Sequence, residues 1–545
     1  MRLPSMKYAD GIAKVQQIKF GGLNHTYAAS DGELWDMKNL SSDHAPVLAT
    51  RQLRKVYRKL EKPGGLFCWE KLCWVDGTGF FVEGEEKGKV SEGMKTFASL
   101  GRYIIIMPDK CWYHVDTEEF GSLEAKWEGA SLTFTNGIYY DVAAQANTIQ
   151  AEGVNWADIF NVGDGVQISG CTKTTKNNTH AVIHAIDGDK LYFDEFIFTL
   201  DGDDGDQEYT ETGDMSISRS MPDLEFICEN ENRLWGVESG NIHACAWGNI
   251  FNWDTGGTNS ESSWAVPVGS PGEFTGGITY KGFAIFFKES NIHKVYGTIP
   301  SNFQVMSSAT LGIAKGSSRS LAIAGETLFY LSQSGIVAYG GGIPQPIGEA
   351  LGAEQFRNAV GGSDGLKYYV SMQGDNDRWR LYVYDTQRSM WHIEDDTHVT
   401  HFANKNGVLY LLDEKGVVWM TGKNMSDVDA EGAEVAMPFY AEFGDFTEED
   451  PDKKGVSKLQ LRLELDAGTT AQVYIQFDSD GSWNPVGDEL KADVKRSYYI
   501  PIIPRRCDHY RIRISGQTME QGGCRIYSMA RESYSGSELK STRRN

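Results

Sequence analysis

The stretch Gly276–Gly297, GGITYKGFAIFFKESNIHKVYG, contains the pattern that decides the fold of this chain. Two short apolar runs, Gly282–Phe287 and His293–Tyr296, flank the polar segment Lys288–Asn291. The runs are rich in β-branched and aromatic residues, and Gly or Asn stands where the chain must reverse. The stretch therefore predicts an antiparallel β-hairpin.

Similar hairpins recur along the sequence, for example at Leu321–Gly340 and His401–Gly422. Successive strands open about 40 to 45 residues apart, near Phe283, Leu328, Tyr369 and Leu409. A repeat of this length with four short strands is typical of a β-propeller, in which each small sheet buries its faces against its neighbours. About seven hairpin units can be counted, so we expect an all-β fold with a propeller of six to eight blades.

The repeat is interrupted between Lys126 and Met221 and ends after Met420. Short strands joined by Gly-Asp turns, as in Val162–Gly170, predict a small β-barrel inserted into a blade. Alternating strands such as Leu459–Leu465 predict a C-terminal β-sandwich. The expected domains are an N-terminal arm (1–51), the propeller (52–127 and 222–436), the inserted barrel (128–221), the sandwich (437–535) and a mobile polar tail (536–545).

Little of the sequence has a helical pattern. Only Asp36–Leu40 and Gly348–Arg357 are predicted to form short helices. The arm that contains the first of them is expected to lie across the propeller and to supply an outer strand that closes the ring.

The chain carries 52 basic and 75 acidic side chains, a formal net charge of −23. This balance argues against a surface that grips nucleic acid or anionic lipid throughout. It is compatible with a channel through which DNA slides, because such a channel should repel phosphates rather than bind them.

The eight cysteines form no C-x-x-C pair and no Cys/His cluster with zinc spacing, so we expect free thiols in a reducing cytoplasm. The first residues, MRLPSMKYADGI, lack the apolar core of a signal peptide, and the longest apolar runs are too short to span a bilayer. A soluble protein without membrane insertion is expected.

One phrase, GELWDMKNLSSDHAPVLATR at Gly32–Arg51, resembles the opening segment of the tail nozzle, or packaged-DNA stabilisation, proteins of tailed bacteriophages. Three later stretches, Val154–Cys171, Glu289–Leu311 and Tyr499–Ser515, are similar to the inserted domain, a blade and the C-terminal sheet of that family. The positions that carry the first match are Asn39, Leu40, Ser41, Pro46, Val47, Leu48 and Arg51.

The resemblance implies a structural virion protein that is not an enzyme. It implies a homo-oligomeric ring, expected to be a hexamer, below the head–tail adaptor protein, with contacts to tail fibres or a tail plug. Genomic DNA would pass through the ring without sequence-specific binding and would be retained there until infection. The expected location is the virion tail, after assembly in the host cytoplasm.

Candidate chemistry is sparse in this sequence, and neither a catalytic residue nor a cofactor is predicted. Asp201, Asp203, Asp204 and Asp206 could offer oxygen ligands to Ca²⁺, but they lack the spacing of a calcium loop, and a solvated acidic turn is favoured. No P-loop or H-E-x-x-H motif occurs.

Two other functions stay open. A receptor- or glycan-binding tail protein would use the sandwich as its adhesive part, although Trp483, Tyr498 and Tyr499 are expected to serve packing. A propeller glycoside hydrolase is less favoured, because no carboxylate pair is marked by the sequence. The tryptophans on or beside the blade strands are expected to fill the space between blades.

Overall fold

The computed structural model of this chain describes residues 12–27, 29–136, 147–193, 197–199, 208–255, 260–422, 424–449, 452–491, 494–519 and 522–535. The chain divides into two compact units: unit 1 draws on Met1–Leu60 and Arg319–Asn545, and unit 2 on Glu61–Ser318. Helical segments among the described residues are short 3₁₀ turns, at Trp156–Asp158, Thr175–Asn177, Pro300–Asn302, Ser318–Ser320, Glu349–Leu351 and Met425–Asp427. The prediction of an all-β protein is confirmed.

Unit 1 begins with five strands that pair with partners from the far end of the sequence, either directly or through a neighbouring strand. They are β1 (Ile12–Gln17), β2 (Leu34–Lys38), β3 (Leu40–Ser41), β4 (Leu48–Thr50) and β5 (Lys55–Lys59).

Unit 2 begins with two antiparallel sheets in which consecutive strands are neighbours. The first contains β6 (Pro63–Trp69), β7 (Lys71–Asp76), β8 (Gly79–Val82) and β9 (Glu85–Lys89). The second contains β10 (Thr96–Leu100), β11 (Tyr103–Met107), β12 (Cys111–His114) and β13 (Phe120–Ser122). Buried residues of both sheets, among them Val75, Phe80 and Ile104, share one apolar cluster, so the two sheets pack face to face.

A closed six-stranded barrel follows, as the break in the repeat predicts, but the chain enters it after the second sheet is complete rather than within a sheet, so the expected insertion into a blade is wrong. Its strands are β14 (Ala125–Asn136), β15 (Asn147–Gln150), β16 (Gly165–Ser169), β17 (His180–Asp187), β18 (Lys190–Phe193) and β19 (Glu208–Arg219). At its base Arg219 forms a buried ion pair with Asp164, 2.5 Å between Nη1 and Oδ2. Arg219 also donates to the carbonyls of Leu123 and Ser122, and so ties the barrel to the end of the second sheet.

Two further four-stranded sheets complete unit 2. One contains β20 (Glu225–Asn230), β21 (Arg233–Glu238), β22 (Asn241–Ala244) and β23 (Trp264–Pro267). The other contains β24 (Phe274–Tyr280), β25 (Phe283–Lys288), β26 (Asn291–Tyr296) and β27 (Gln304–Ala309). The hairpin predicted within Gly276–Gly297 is confirmed, because β25 and β26 pair antiparallel across the turn that follows Lys288.

The second part of unit 1 contains three more small sheets in chain order. They are β28 (Ala322–Ala324), β29 (Thr327–Ser332), β30 (Gly335–Tyr339) and β31 (Gln345–Pro346); then β32 (Arg357–Ser363), β33 (Lys367–Gln373), β34 (Trp379–Asp385) and β35 (Met390–Ile393); then β36 (Val399–Lys405), β37 (Val408–Asp413), β38 (Val417–Thr421) and β39 (Gly432–Ala433). Strand β5 lies between β38 and β39 and completes the third sheet.

Two larger sheets end unit 1, with strands β40 (Ala436–Phe443), β41 (Lys454–Leu465), β42 (Thr470–Phe477), β43 (Asn484–Leu490), β44 (Arg496–Pro501), β45 (Tyr510–Met519) and β46 (Cys524–Ser535). One sheet runs β3-β4-β46-β41-β44 with β1 also on β46, and the other runs β2-β40-β45-β42-β43. Alternate residues such as Leu459, Leu461 and Leu463 are buried, as a sandwich needs.

Both helix predictions are wrong. Asp36–Leu40 lies in β2 and β3, because pairing of β2 with β40 satisfies its backbone better than a single isolated helical turn could. Gly348–Arg357 contains only the 3₁₀ turn Glu349–Leu351 before β32 begins. The arm also differs from its prediction: β1 to β4 join the two C-terminal sheets, and the strand added to a blade-like sheet is β5, which follows the arm.

The first strands of neighbouring sheets in unit 2 approach closely. A Cβ atom at Gly277 on β24 would lie 2.6 Å from the carbonyl oxygen of Phe226 on β20 and 2.8 Å from the Phe286 ring. At Gly269, in the loop before β24, a Cβ atom would meet nothing within 4 Å.

We therefore expect Gly277→Ala to lower the free energy of unfolding by about 1–3 kcal/mol, because the backbone of β20 must move to admit the methyl group. Gly269→Ala is the matched control and should change stability by less than about 0.5 kcal/mol. Urea denaturation of both variants measures the difference. Equal stability of the two variants would show that β20 and β24 are not closely packed.

Candidate functional site

The stretch Gly32–Arg51, which resembles the nozzle family, connects several segments of unit 1 that are distant in the sequence. Asn39 lies between β2 and β3 with φ of 57°, a left-handed conformation that Asn tolerates better than most residues. Its side-chain Nδ2 donates to the carbonyl of Pro438 at 2.7 Å, and its backbone N–H donates to the carbonyl of Glu394. Asn39 therefore connects the second C-terminal sheet to the loop after β35.

Arg51, at the other end of the stretch, binds Asn39 and Glu434. Its Nε donates to Asn39 Oδ1 at 2.8 Å, and its backbone N–H donates to the Asn39 carbonyl at 3.0 Å. Its two terminal nitrogens bind both carboxylate oxygens of Glu434, at 2.8 and 2.9 Å. This bidentate geometry is the strong form of an arginine–carboxylate pair.

Arg54 extends the network and is only 1% exposed. Its Nη2 lies 2.6 Å from Glu394 and its Nη1 lies 2.8 Å from Asp395. Its backbone N–H donates to Glu434 at 2.7 Å. Two guanidinium groups and three carboxylates thus meet in a buried cluster, which we call the arginine joint: Arg51, Arg54, Glu394, Asp395 and Glu434.

Within the arginine joint, Arg54 and Asp395 hold each other in the ionised state. Burial lowers the pKa of Arg54, but Asp395, Glu394 and Glu434 outweigh it and raise that pKa above its usual value. Burial raises the pKa of Asp395, and the guanidinium groups of Arg54 and Arg51 lower it further than burial raises it. The pKa values of Arg54 and Asp395 thus both move away from neutrality, whereas a general acid or base needs a pKa near the working pH.

The remaining residues of the phrase are anchored nearby. Ser42 donates to Asp385 at 2.6 Å, and Lys367 Nζ lies 2.7 Å from Asp43. Leu48 is buried on β4 opposite Ile526 of β46. The phrase thus contacts blade-like sheets and C-terminal sheets of unit 1 along its length.

A cavity of about 410 Å³ lies beside the arginine joint. Its lining includes Lys38, Asp396, His398, Glu414 and Trp419. His398 stacks on Trp379 with ring centroids 3.6 Å apart, and its Nδ1 lies 2.8 Å from Glu414. Lys38 also pairs with Asp396 across 2.8 Å, so these side chains are bound to one another and favour a structural role for the cavity.

Other residues singled out by the sequence fall in several places. The calcium candidates Asp201, Asp203, Asp204 and Asp206 lie outside the described residues. Among the residues that are described, one group could offer metal ligands: Asp478, Asp508 and His509 each place one ligand atom within 4.8 Å of the others. The described cysteines are free thiols.

The predicted aromatic residues behave unequally. Trp74, Trp235 and Trp391 are buried, as inter-sheet packing requires, whereas Trp247 is 54% exposed. In the C-terminal sheets Tyr499 is 60% exposed, so the expectation that it serves packing is wrong. Tyr499 lies opposite Gln460, which shares its solvent face of the sheet.

Sequence reasoning missed two features. The first is Arg54 together with the acidic run that begins at Glu394, which complete the arginine joint; their signals in the sequence are the spacing R-x-x-R from Arg51 and the run E-D-D. The stretch Gly361–Gly365 has the G-x-S-x-G spacing of a hydrolase elbow. It forms the hairpin turn between β32 and β33, where Ser363 Oγ accepts a hydrogen bond from Gly365 N–H, and no helix follows it as an elbow requires.

Comparisons with known proteins leave the family open. No family model matches the sequence, and no curated protein matches it. Among solved structures, the computationally designed Ika8 protein is similar at 9% identity and a TM-score of 0.32, covering 68% of this chain and 100% of its own. PorZ of Porphyromonas gingivalis is similar at 12% identity and a TM-score of 0.26, covering 87% of this chain and 77% of its own. Trypanosoma rangeli sialidase is similar at 8% identity and a TM-score of 0.23, covering 97% of this chain and 96% of its own. Likenesses this weak support no argument about function.

No helix among the described residues is long and apolar enough to cross a membrane.

Removing Arg54 should strongly destabilise unit 1. We expect Arg54→Met to lower the free energy of unfolding by about 3–5 kcal/mol, because Glu394 and Asp395 stay buried with only part of their compensating charge. Lys62→Met, which breaks the exposed Lys62–Glu92 pair, is the control and should leave stability almost unchanged, because solvent screens exposed ion pairs. Denaturant unfolding measures both. Similar costs for the two variants would show that the arginine joint contributes little.

A buried histidine beside the joint should make stability depend on pH. Burial and the Lys367 ammonium lower the pKa of His392 to about 3, from an ordinary 6.5. The unfolded chain therefore binds a proton that the folded chain refuses, so this contribution to stability is complete above pH 6.5 and is lost progressively as the pH falls.

The test compares His392→Gln with the wild type by urea unfolding between about pH 7 and pH 4.5, where buried neutral histidines rather than carboxylates dominate the slope. In the variant the free energy of unfolding should change less steeply with pH, by up to about 1.4 kcal/mol per pH unit. Exposed His180→Gln is the control and should keep the wild-type slope. An unchanged slope in His392→Gln would show that His392 is not held neutral.

Proposed function

We propose that this chain is a structural protein of a tailed-phage virion, a subunit of the tail nozzle ring below the head–tail adaptor. The observation that carries the proposal is the arginine joint. The phrase through which the sequence resembles the nozzle family is used for buried contacts that fix the architecture of unit 1. A resemblance that falls on architecture-defining residues supports a shared structural role more than a shared reaction.

We also propose that the small sheets are blades of a β-propeller with six to eight blades, as the sequence predicts. Unit 2 contributes four sheets of the same design and unit 1 contributes three, which falls within the expected range of six to eight. The addition of β5 to the sheet of β36–β38 supports this proposal, because a propeller is commonly closed by a strand from the opposite end of the chain.

The proposed action is mechanical and needs neither a cofactor nor turnover. Six copies joined by repeated head-to-tail contacts would form a closed ring. The ring would contact the head–tail adaptor on one side and tail fibres or a plug elsewhere, in the virion tail, after assembly in the host cytoplasm. The net charge of −23 supports a channel that repels DNA phosphates and lets the genome slide.

The decisive experiment is the assembly state of the purified full chain. Mass photometry should find a species of six times the 60.6 kDa chain, and negative-stain images should show a ring with a central pore. A strict monomer at all concentrations, also in the presence of the adaptor, would contradict the ring. If a ring forms, its reconstruction should show an acidic lumen, and a strongly basic lumen would contradict the sliding mechanism alone.

A further inference from the structure

The outer surface of the first C-terminal sheet of unit 1 differs in character from the rest of this acidic chain. Exposed and half-buried residues on β44, β41 and β1, together with the residue just before β44, form it. We call it the Tyr499 face, and its members are Lys14, Lys458, Gln460, Arg462, Lys495 and Tyr499.

Strand register brings these side chains to one surface. On β41, Leu459, Leu461 and Leu463 are buried, so the alternate residues Lys458, Gln460 and Arg462 point away from the core. Tyr499 lies directly opposite Gln460 on the neighbouring strand. On the far side of β41, Glu532 of β46 pairs with Lys458 and, through β1, with Lys14.

The face is cationic although the chain carries a net charge of −23. Glu532 forms ion pairs with Lys458 at 3.2 Å and with Lys14 at 3.3 Å. Within the described residues Arg462 and Lys495 form no ion pair, and both are exposed. Their charge therefore remains available to an anionic partner.

Aromatic rings lie among these cations. Tyr499 is 60% exposed, and Lys458 Nζ lies 4.7 Å from its ring centroid. Lys495 Nζ lies 3.6 Å from the ring of Tyr527 on the adjacent part of the sheet. The exposed amide of Gln460 lies next to Tyr499 and offers both a donor and an acceptor.

We propose that the Tyr499 face binds an anionic polysaccharide that carries carboxylate groups. The Tyr499 ring packs against the apolar face of a sugar ring, the Gln460 amide pairs with a hydroxyl, and Arg462 and Lys495 bind carboxylates. Arginine suits this role because its planar fork matches a carboxylate with two hydrogen bonds. The proposal does not depend on ring formation, so it can fail or succeed independently of the proposed function.

The observations favour a polysaccharide over the two other polyanions that could meet this surface. Double-stranded DNA carries one negative charge per roughly 1.7 Å of its axis, and the surrounding acidic chain opposes so dense a partner more than a single-stranded polymer with at most one carboxylate per sugar. A second copy of this chain would add acidic surface but would not need an exposed amide and aromatic ring in the centre of the contact. Both are outcomes of the test.

The test uses the full chain with two carboxylated polymers, polygalacturonate and hyaluronate, in isothermal titration calorimetry. The wild type should bind at least one of them, and added salt should weaken the binding. Tyr499→Ala and Arg462→Glu should each raise Kd by about tenfold or more. The methyl ester of polygalacturonate, which lacks the charge, should bind much more weakly than the free acid.

Two matched variants control for the loss of any exposed tyrosine or any exposed cation. Tyr27→Ala removes a fully exposed tyrosine elsewhere, and Lys173→Glu reverses an exposed charge in unit 2; both should bind like the wild type. Absence of binding to both polymers, or equal binding by all four variants, would overturn the proposal. Tighter binding of double-stranded DNA through the same residues, or a change of assembly mass in Tyr499→Ala without any polymer, would also overturn it.

Discussion

The structure of unit 1 depends on keeping the charges of the arginine joint together. Arg54 is 1% exposed and Arg51 is 5% exposed, so neither guanidinium group has the option of water. Their carboxylate partners come from the loop after β35 and from the segment between β39 and β40. Because an unpaired buried charge costs several kcal/mol, on the order of 3–5, any shift of one segment is penalised by the others. The joint therefore fixes where three distant parts of the chain cross.

The repeated sheets follow from a simpler constraint, the need to bury apolar strand faces, and this constraint is visible in the sequence pattern. A short strand with two apolar faces must be covered on both sides, and stacking of like sheets achieves this. The spacing of the hairpins therefore predicted the four-stranded sheets, and the loss of that spacing predicted the inserted barrel. Close approach adds a local demand: Gly277 is needed because the carbonyl of Phe226 occupies the space of a side chain. The hairpin spacing is a local signal, so the sequence predicted these sheets, whereas the close approach at Gly277 was found only in the structure.

The joint could not be predicted in the same way. Asn39 donates a hydrogen bond to Pro438 and Arg51 to Glu434, at sequence separations of 399 and 383 residues. No local pattern in the sequence specifies such a pair. The segment Asp36–Leu40 was mistaken for a helix because its partner strand, β40, begins only at Ala436. The prediction that Tyr499 serves packing was wrong for a local reason. An aromatic residue in an alternating strand is usually buried, but here the neighbouring Ile500 occupies the buried position and Tyr499 faces solvent.

The internal ion pairs also bear on how the surface works. Arg51, Arg54 and Arg219 bind carboxylates inside the protein, so their charges are not available to a partner at the surface. Arg462 differs from them, because it is exposed and forms no ion pair with any residue that the structure describes, which is why we propose it as a point of attachment. In a ring of identical subunits every such face would be repeated at fixed spacing. A polymer bound at one copy would meet the next at high effective concentration, so weak contacts at single faces would add up to strong attachment of the whole ring. A mechanical ring and an adhesive face are therefore compatible uses of the same fold.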